Sequence, residues 1–505
     1  MNRFISTIFN FILILYLAAC SSVTTPTATP QPPTASPVLP NLQAIYPADA
    51  ALPGAIITLS GQDFGQTPGT VLFGDQQGQI MAWQDTQIDV EVPADLAAGE
   101  TNISVQTSGG NTAVGGLATL PFTVLEPSLA SLGLRVAGVY QAAVADFDLD
   151  GDLDMFVPSN YSENGIDNAY FLNNGNATFS EVSLEDAGFP LLADSFTAAT
   201  ADFDKDGDAD LYVVGSGQDL YALNNGDGTF SLQNLAEAGL EMRPDQNGTE
   251  KLGIALADFD LDGSMDVFVN IGFAEQIDNF YALNNGDGTF TAVDLAAAGI
   301  PAGGDGKYVT TADFNGDGAP DLWIGQVDGN VVYLLNDGDG TFTQQDPAAA
   351  GITEVGAGSQ QSPADFDQDG DLDLFLGDTE PADDFASLQS FAQNNGDGTF
   401  SLLDLEEIGL LDAPHQFRGT VAADFNNDGY ADLYQFGMFA PDGLYALNNG
   451  DGTFSQVNLA DIGLGSDITL GLPVAADFDG DGDLDIFSHA VFARNLGDGT
   501  FVLYK

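Results

Sequence analysis

One stretch of nine residues, Asp-x-Asp-x-Asp-Gly-x-x-Asp, recurs seven times with two Asn-for-Asp changes, starting at Asp146, Asp202, Asp258, Asp313, Asp365, Asp424 and Asp477. The starts lie 52 to 59 residues apart, so one unit is laid down repeatedly over most of a 505-residue chain. A single unit of that size cannot bury its own apolar face. It has to stack on its neighbours, and an array of repeats is therefore the expected fold.

The spacing also carries chemistry. Side-chain oxygens at positions 1, 3 and 5 of a tight loop converge on one point, and a hard cation such as Ca²⁺ takes six to eight such ligands. Position 1 is the series of aspartates just named. Position 3 is Asp148, Asp204, Asp260, Asn315, Asp367, Asn426 and Asp479, so an oxygen is kept throughout. Position 5 is Asp150, Asp206, Asp262, Asp317, Asp369, Asp428 and Asp481. Position 6 is always Gly, which supplies the sharp turn. Position 7 varies: Asp152, Asp208, Ser264, Ala319, Asp371, Tyr430 and Asp483. Such indifference fits a ligand given by the backbone carbonyl. Position 9 is again always acidic: Asp154, Asp210, Asp266, Asp321, Asp373, Asp432 and Asp485.

The first six positions match the start of an EF-hand loop, but the rest does not. Position 12 carries no Glu; it is Val157, Val213, Val269, Ile324, Leu376, Gln435 and Ser488. The residues after position 9 read as strand, as in Leu211–Val214. The fourth side-chain ligand is then expected at position 9, with the ion between two strands. About seven structural Ca²⁺ ions are expected. Position 2 is Phe in every copy and reads as a core anchor.

Each unit further reads as four short strands. In the second copy these are Ala198–Ala201, Leu211–Val214, Leu220–Leu223 and Phe230–Leu232. An Asn-Asn-Gly-Asp-Gly-Thr stretch from Asn224 joins the last two, and it recurs at Asn284, Asn336, Asn394 and Asn448 and less regularly at Asn173 and Asn495. Its composition suits a hairpin turn, with a second ion site as the other reading. Four strands per unit, seven times, give an all-β, seven-bladed β-propeller. The loops resemble the FG-GAP/VCBS repeats of integrin-α-type propellers, and the resemblance covers residues 127–505. It implies Ca²⁺ held between the first two strands of each blade by the side chains at positions 1, 3, 5 and 9 and the position 7 carbonyl. The segment Leu129–Leu134 matches the Leu-x-x-x-Gly-Leu piece between blades, and it is expected to close the ring beside the seventh blade.

Ahead of the array, residues 41–126 alternate apolar and polar residues between frequent turns, as in Ile56–Leu59, Val71–Phe73, Ile88–Val92, Ile103–Val105 and Phe122–Val124. That rhythm argues a β-sandwich with Trp83 in its core. The run from Pro53-Gly54 through Ser60-Gly61-Gln62-Asp63-Phe64-Gly65 resembles the immunoglobulin-like IPT/TIG domain, which implies a spacer or binding module.

Residues 1–19 read as a signal peptide, with Arg3 before an apolar run too short to span a membrane comfortably. The run ends Leu17-Ala18-Ala19-Cys20, similar to a bacterial lipobox, which implies lipidation of Cys20, the one cysteine of the chain. Residues 20–40 form a Ser/Thr/Pro-rich spacer. The expected location is the cell envelope, with the outer membrane first, or the outer face of the plasma membrane in an organism with one membrane.

With 75 acidic against 9 basic residues the formal charge is −66, which repels nucleic acid and anionic lipid. The loops and Asn turns share one face of such a propeller and are uniform. The other face carries irregular connections, and variation is where recognition is usually housed. Arg135, Arg243, Lys251, Lys307, His415 and Arg418 read as lying in blade-to-blade connections there, as a candidate ligand face. The expected function is a calcium-binding, lipid-anchored adhesion or ligand-binding module for an extracellular protein or glycan. The alternative is a carbohydrate-binding component of a polysaccharide capture system, for which Tyr161, Phe273 and Phe439 are the available rings. An enzyme is the weakest reading. No nucleophile elbow, Cys–His pair or phosphate-cradling loop is present, and the irregular pair Asp383-Asp384 is the remaining glycan-active candidate.

Overall fold

A computed structural model of the chain describes residues 40–505 apart from connecting stretches, the longest being 108–116, 160–166, 243–250, 353–360, 377–389, 411–416 and 465–471. Residues 1–39, which take in the expected signal peptide, Cys20 and nearly all of the expected spacer, lie outside the described residues, as do Tyr161, Arg243, Phe273, Asp383, Asp384, His415 and Phe439.

The N-terminal domain is a two-sheet sandwich. One sheet orders its strands Asn41–Tyr46, Ile56–Gln62, Gln87–Glu91, Gln79–Trp83. The other orders Ala50–Ala51, Leu117–Val124, Gly99–Gln106, Thr70–Phe73, Gln76–Gln77. Alternation along each strand sends Leu59, Phe73, Ile88, Val105 and Phe122 into one core. Trp83 packs at the edge of that core and donates its indole N–H to the Gly65 carbonyl at 3.1 Å.

The repeats fold into seven four-stranded antiparallel sheets among the described residues, each with its strands in chain order. The first strands of blades two, three and four lie against one another, as strands nearest the axis of a ring must. The ring closes. Phe478, Phe487, Phe492 and Tyr504 of the last blade share a core with Met155, Phe171 and Phe179 of the first. Leu129, Leu132 and Leu134 enter the same core, and the Leu129 N–H donates to the Lys505 carbonyl at 3.3 Å. The protein is thus an all-β propeller behind an immunoglobulin-like sandwich.

Apolar side chains are buried between blades more than within them. The Phe at loop position 2 meets an aromatic of its own third strand and the first Phe of the next blade's fourth strand, as in Phe203, Tyr221 and Phe290. These rings sit edge to face, worth about 0.5–1.5 kcal/mol per pair beyond the area buried. The small segment before each blade carries, one residue from its end, a Gly packed against a strand carbonyl. At Gly299, φ is +76° and a Cβ would stand 1.9 Å from the Phe342 carbonyl oxygen.

Three candidate ligand-face cations are placed differently from the sequence reading. Lys251, Lys307 and Arg418 lie in first strands of blades (Lys251–Ala257, Gly306–Ala312, Phe417–Ala423), not in the connections. These strands begin early because each accommodates an irregularity in register, for example between Gly306 and Tyr308. Arg135 does lie in the connection before blade one and pairs with Glu181 at 2.9 Å.

Candidate metal centres

Each Asp loop is shaped by its own side chains accepting from its own backbone. The position 1 carboxylate accepts from the Gly N–H of position 6 in all seven loops, at 2.8–3.1 Å. Position 3 accepts from the N–H of position 5. Position 5 accepts from the N–H of position 7. Position 7 therefore serves through its backbone, which explains why Ser264, Ala319 and Tyr430 are accepted beside Asp152, Asp208, Asp371 and Asp483.

Position 4 was missed by the sequence reading. Leu149, Lys205, Leu261, Gln368 and Asn427 all adopt φ of 57–63°, and Gly316 and Gly480 occupy the same place. The left-handed turn points this side chain at the next blade. Gln368 donates to the Gly429 carbonyl, and Asn427 donates to Asp483 at 2.5 Å.

Position 9 is buried and bridges two elements. One oxygen accepts from the N–H of the position 2 Phe at 2.8–3.2 Å. The other accepts from the N–H of the Asn that ends the third strand, at 2.7–2.9 Å. Burial raises these carboxyls to about 7 in Asp154, Asp210, Asp266, Asp321, Asp373 and Asp432, against the opposing pull of the two amides. In Asp485 burial also drives the pKa upward.

The same Asn is the second feature whose role the sequence concealed. Its carboxamide donates to the position 8 carbonyl of its own blade and to the position 2 carbonyl of the preceding blade, the latter at 2.7–3.0 Å. Asn173 completes the belt by donating to Phe478 at 2.7 Å. The Asn oxygen accepts from the Gly of its own turn, so the turns are hairpins held by hydrogen bonds.

The same carboxylates also face one another. In loops one, two, three, five and seven, three of them bring oxygens within 4.8 Å: Asp146, Asp148 and Asp154; Asp202, Asp204 and Asp206; Asp258, Asp260 and Asp262; Asp365, Asp367 and Asp373; Asp477, Asp479 and Asp481. Position 9 joins the set only in loops one and five. Burial, then the neighbouring carboxylates, raise Asp148, Asp204 and Asp260. Oδ1 of Asp365 is a buried acceptor with no donor. An all-oxygen, multiply anionic set with an orphaned acceptor fits a hard divalent cation such as Ca²⁺.

Loops four and six bring together fewer carboxylates. There the Asn315 and Asn426 amides donate to Asp317 and Asp428 at 2.9 Å, and Asp313, Asp321, Asp424 and Asp432 supply the remaining acids. Loop seven differs again. Arg494, on the third strand, forms ion pairs with Asp479 and, at 3.2 Å, with Asp481.

The FG-GAP-like repeat family matches residues 146–213, 202–269, 273–324, 313–376, 365–434 and 441–488, and the IPT/TIG domain matches 40–123. Cartilage acidic protein 1 of Mus musculus is 26% identical over 325 residues, covering 60% of this chain and 49% of that protein. Cyclomaltodextrin glucanotransferase of Thermoanaerobacterium thermosulfurigenes is 48% identical over 59 residues, covering 12% of this chain and 8% of that enzyme. The chain thus spans about half the length of the first relative and under a tenth of the second. Among solved structures, an Agrocybe aegerita lectin that recognises non-reducing terminal N-acetylglucosamine shares 23% identity at a TM-score of 0.47, over 75% of this chain and 92% of that one. An auxiliary nutrient binding protein from Bacteroides ovatus shares 12% identity at a TM-score of 0.37, over 93% of this chain and 97% of that one.

Proposed function

We propose, from the premise that this chain belongs to the FG-GAP-like repeat family, that it is a Ca²⁺-stabilised module for binding an extracellular ligand, tethered to the cell envelope through a lipid on Cys20. The observation that supports it best is the convergence of three carboxylates in loops one, two, three and five, where among the described residues no side-chain cation is paired with them and each loop is already shaped by its own backbone. Residues at positions 1, 3, 5 and 9 would hold the ion with the position 7 backbone. The ion supplies charge neutralisation at the rim where one blade meets the next. Without it the loops repel internally, so metal binding adds to folding stability.

A binding role is favoured over a catalytic one by what the perturbed acids do. Burial raises the position 9 carboxyls to about 7, and each accepts a backbone amide on both oxygens, a structural use that still leaves lone pairs for a cation. In this reading the face opposite the loops meets the ligand, a protein or glycan. The test is thermal unfolding of residues 21–505 in Ca²⁺ and in EDTA, followed by glycan and protein binding screens in both. A midpoint lowered by EDTA and restored by Ca²⁺ much more than by Mg²⁺ is expected, with ligand capture in EDTA lost only above the lowered midpoint. An unchanged midpoint would remove the metal from the reading.

A further inference from the structure

The seventh loop departs from the others at one position. The residue before the belt asparagine is Leu172, Leu223, Leu283, Leu335, Gln393 and Leu447 in blades one to six, and Arg494 in blade seven. Its guanidinium pairs with the carboxylates of positions 3 and 5, Asp479 and Asp481. The Arg494 and Asp479 side chains are 8% and 5% exposed, so this pair is buried, unlike a surface ion pair. The fork has a third partner outside the ring: Nη1 donates to the carbonyl of Gly54 in the N-terminal domain.

That contact is specific in shape. Gly54 adopts φ +80°, and a Cβ there would collide with Arg494 Nη1. Beside it, the Tyr504 hydroxyl lies 3.4 Å from the Pro53 carbonyl, and Ala55 packs on the core shared by blades seven and one. Glu91 of the same domain also feels the loop: burial raises its pKa, Arg494 lowers it, and Asp481 and Asp483 raise it. Without the guanidinium, this domain would present an acid to an acidic loop.

We infer that Arg494 is a built-in cation: in the seventh loop its guanidinium takes the place that a metal ion takes in the other loops, and it latches the N-terminal domain to the ring. The planar fork explains why arginine serves here, since one group reaches two carboxylates and a carbonyl in three directions. A divalent ion on Asp479 and Asp481 would displace the guanidinium and leave it buried against Gly54 alone, which is costly for an unpaired charge. The seventh site therefore disagrees with the repeat pattern of its own sequence. The ion half of the inference rests on the metal reading of the other loops; the latch half does not.

The test is Arg494→Leu, which installs the side chain of five other blades, in the chain from Ser21 onward. Bound Ca²⁺ is counted by equilibrium dialysis with elemental analysis, and the radius of gyration is measured by small-angle X-ray scattering. The variant is expected to bind one more ion than the wild type and to expand as the N-terminal domain detaches. An ion in every loop of the wild type overturns the substitution of metal by guanidinium, even if the variant fails to fold. An unchanged radius of gyration in a folded variant overturns the latch. If neither protein binds Ca²⁺ while the variant expands, the metal reading of the loops falls and the latch stands.

Discussion

Two adjacent asparagines of one turn, Asn284 and Asn285, are predicted to differ sharply when truncated. Asn284 is 2% exposed, and its carboxamide serves three backbone groups: the Phe203 carbonyl of blade two at 3.0 Å, the Met265 carbonyl at 3.1 Å and the Gly286 N–H at 2.8 Å. Asn284→Ala removes all three partners at once. At about 1 kcal/mol net per bond, and more where a buried group finds no water, the cost is about 3 kcal/mol and up to ~5. Asn285 makes two exposed side-chain bonds, to Thr289 and from Thr291. Asn285→Ala should cost under about 1 kcal/mol. Urea unfolding in EDTA, with midpoints compared at a common slope, reads both without any contribution from metal. Amides of the Asp202 loop should also exchange faster in the first variant, because the lost bond crosses from blade three to blade two. Equal costs for the two variants would refute the belt as the element joining blades.

The same geometry fixes other outcomes. In EDTA the thermal midpoint should rise as pH falls from about 7 toward 4: the position 9 carboxyls sit near 7 when folded and near their ordinary value of 3.8 when unfolded, so the folded state binds the extra protons. That stability is lost as pH rises through 7, and a midpoint falling on acidification would contradict it. In Ca²⁺ the trend should weaken or reverse, since the ion needs the carboxylates ionised. Gly299→Ala should destabilise by about 2 kcal/mol or more through its positive φ and the Phe342 carbonyl, while Leu261→Gly, at φ 57°, should change stability by less than about 1 kcal/mol, both read by urea midpoint. Asn315→Asp should raise Ca²⁺ affinity at the fourth loop, seen by calorimetry as one more ion in the tighter class, because a carboxylate oxygen replaces the amide that now donates to Asp317.

The repeats were legible because identity recurs at a fixed spacing, and a periodic signal survives any local ambiguity. The four strands of each blade followed from it, with the second blade's third and fourth strands extending to Asn224 and Leu232. The belt was not legible. Asn224 and its counterparts read as turn formers by composition, and their decisive contacts lie 70 or more residues away in the preceding blade, 305 for Asn173. The left-handed position 4 was hidden by Leu149, Lys205 and Leu261, residue types that do not favour it; Gly316 and Gly480 at the same place were the available signal. The misplaced cations have a simple cause. Lys307 follows a Gly-Gly-Asp-Gly stretch and Arg418 precedes Gly419, which reads as a connection, whereas irregular pairing lets a first strand carry them.

These loops differ from sites that a metal must assemble. In an ion-assembled loop the ligands have no other partners and the chain is unshaped until the ion arrives. Here the same carboxylates already hold backbone amides: Asp202 carries Asp206 and Gly207, Asp204 carries Asp206, and Asp210 ties Phe203 to Asn224. The apolar contacts between blades, such as Phe203 on Phe290, do not involve the ion at all. Cations bound on this frame would neutralise charge that the fold has concentrated, rather than create the fold. Chelation should therefore lower the melting midpoint while leaving β-sheet circular dichroism at room temperature unchanged. Loss of that signal in EDTA would mean that repulsion among the loops outweighs the belt and the aromatic contacts together.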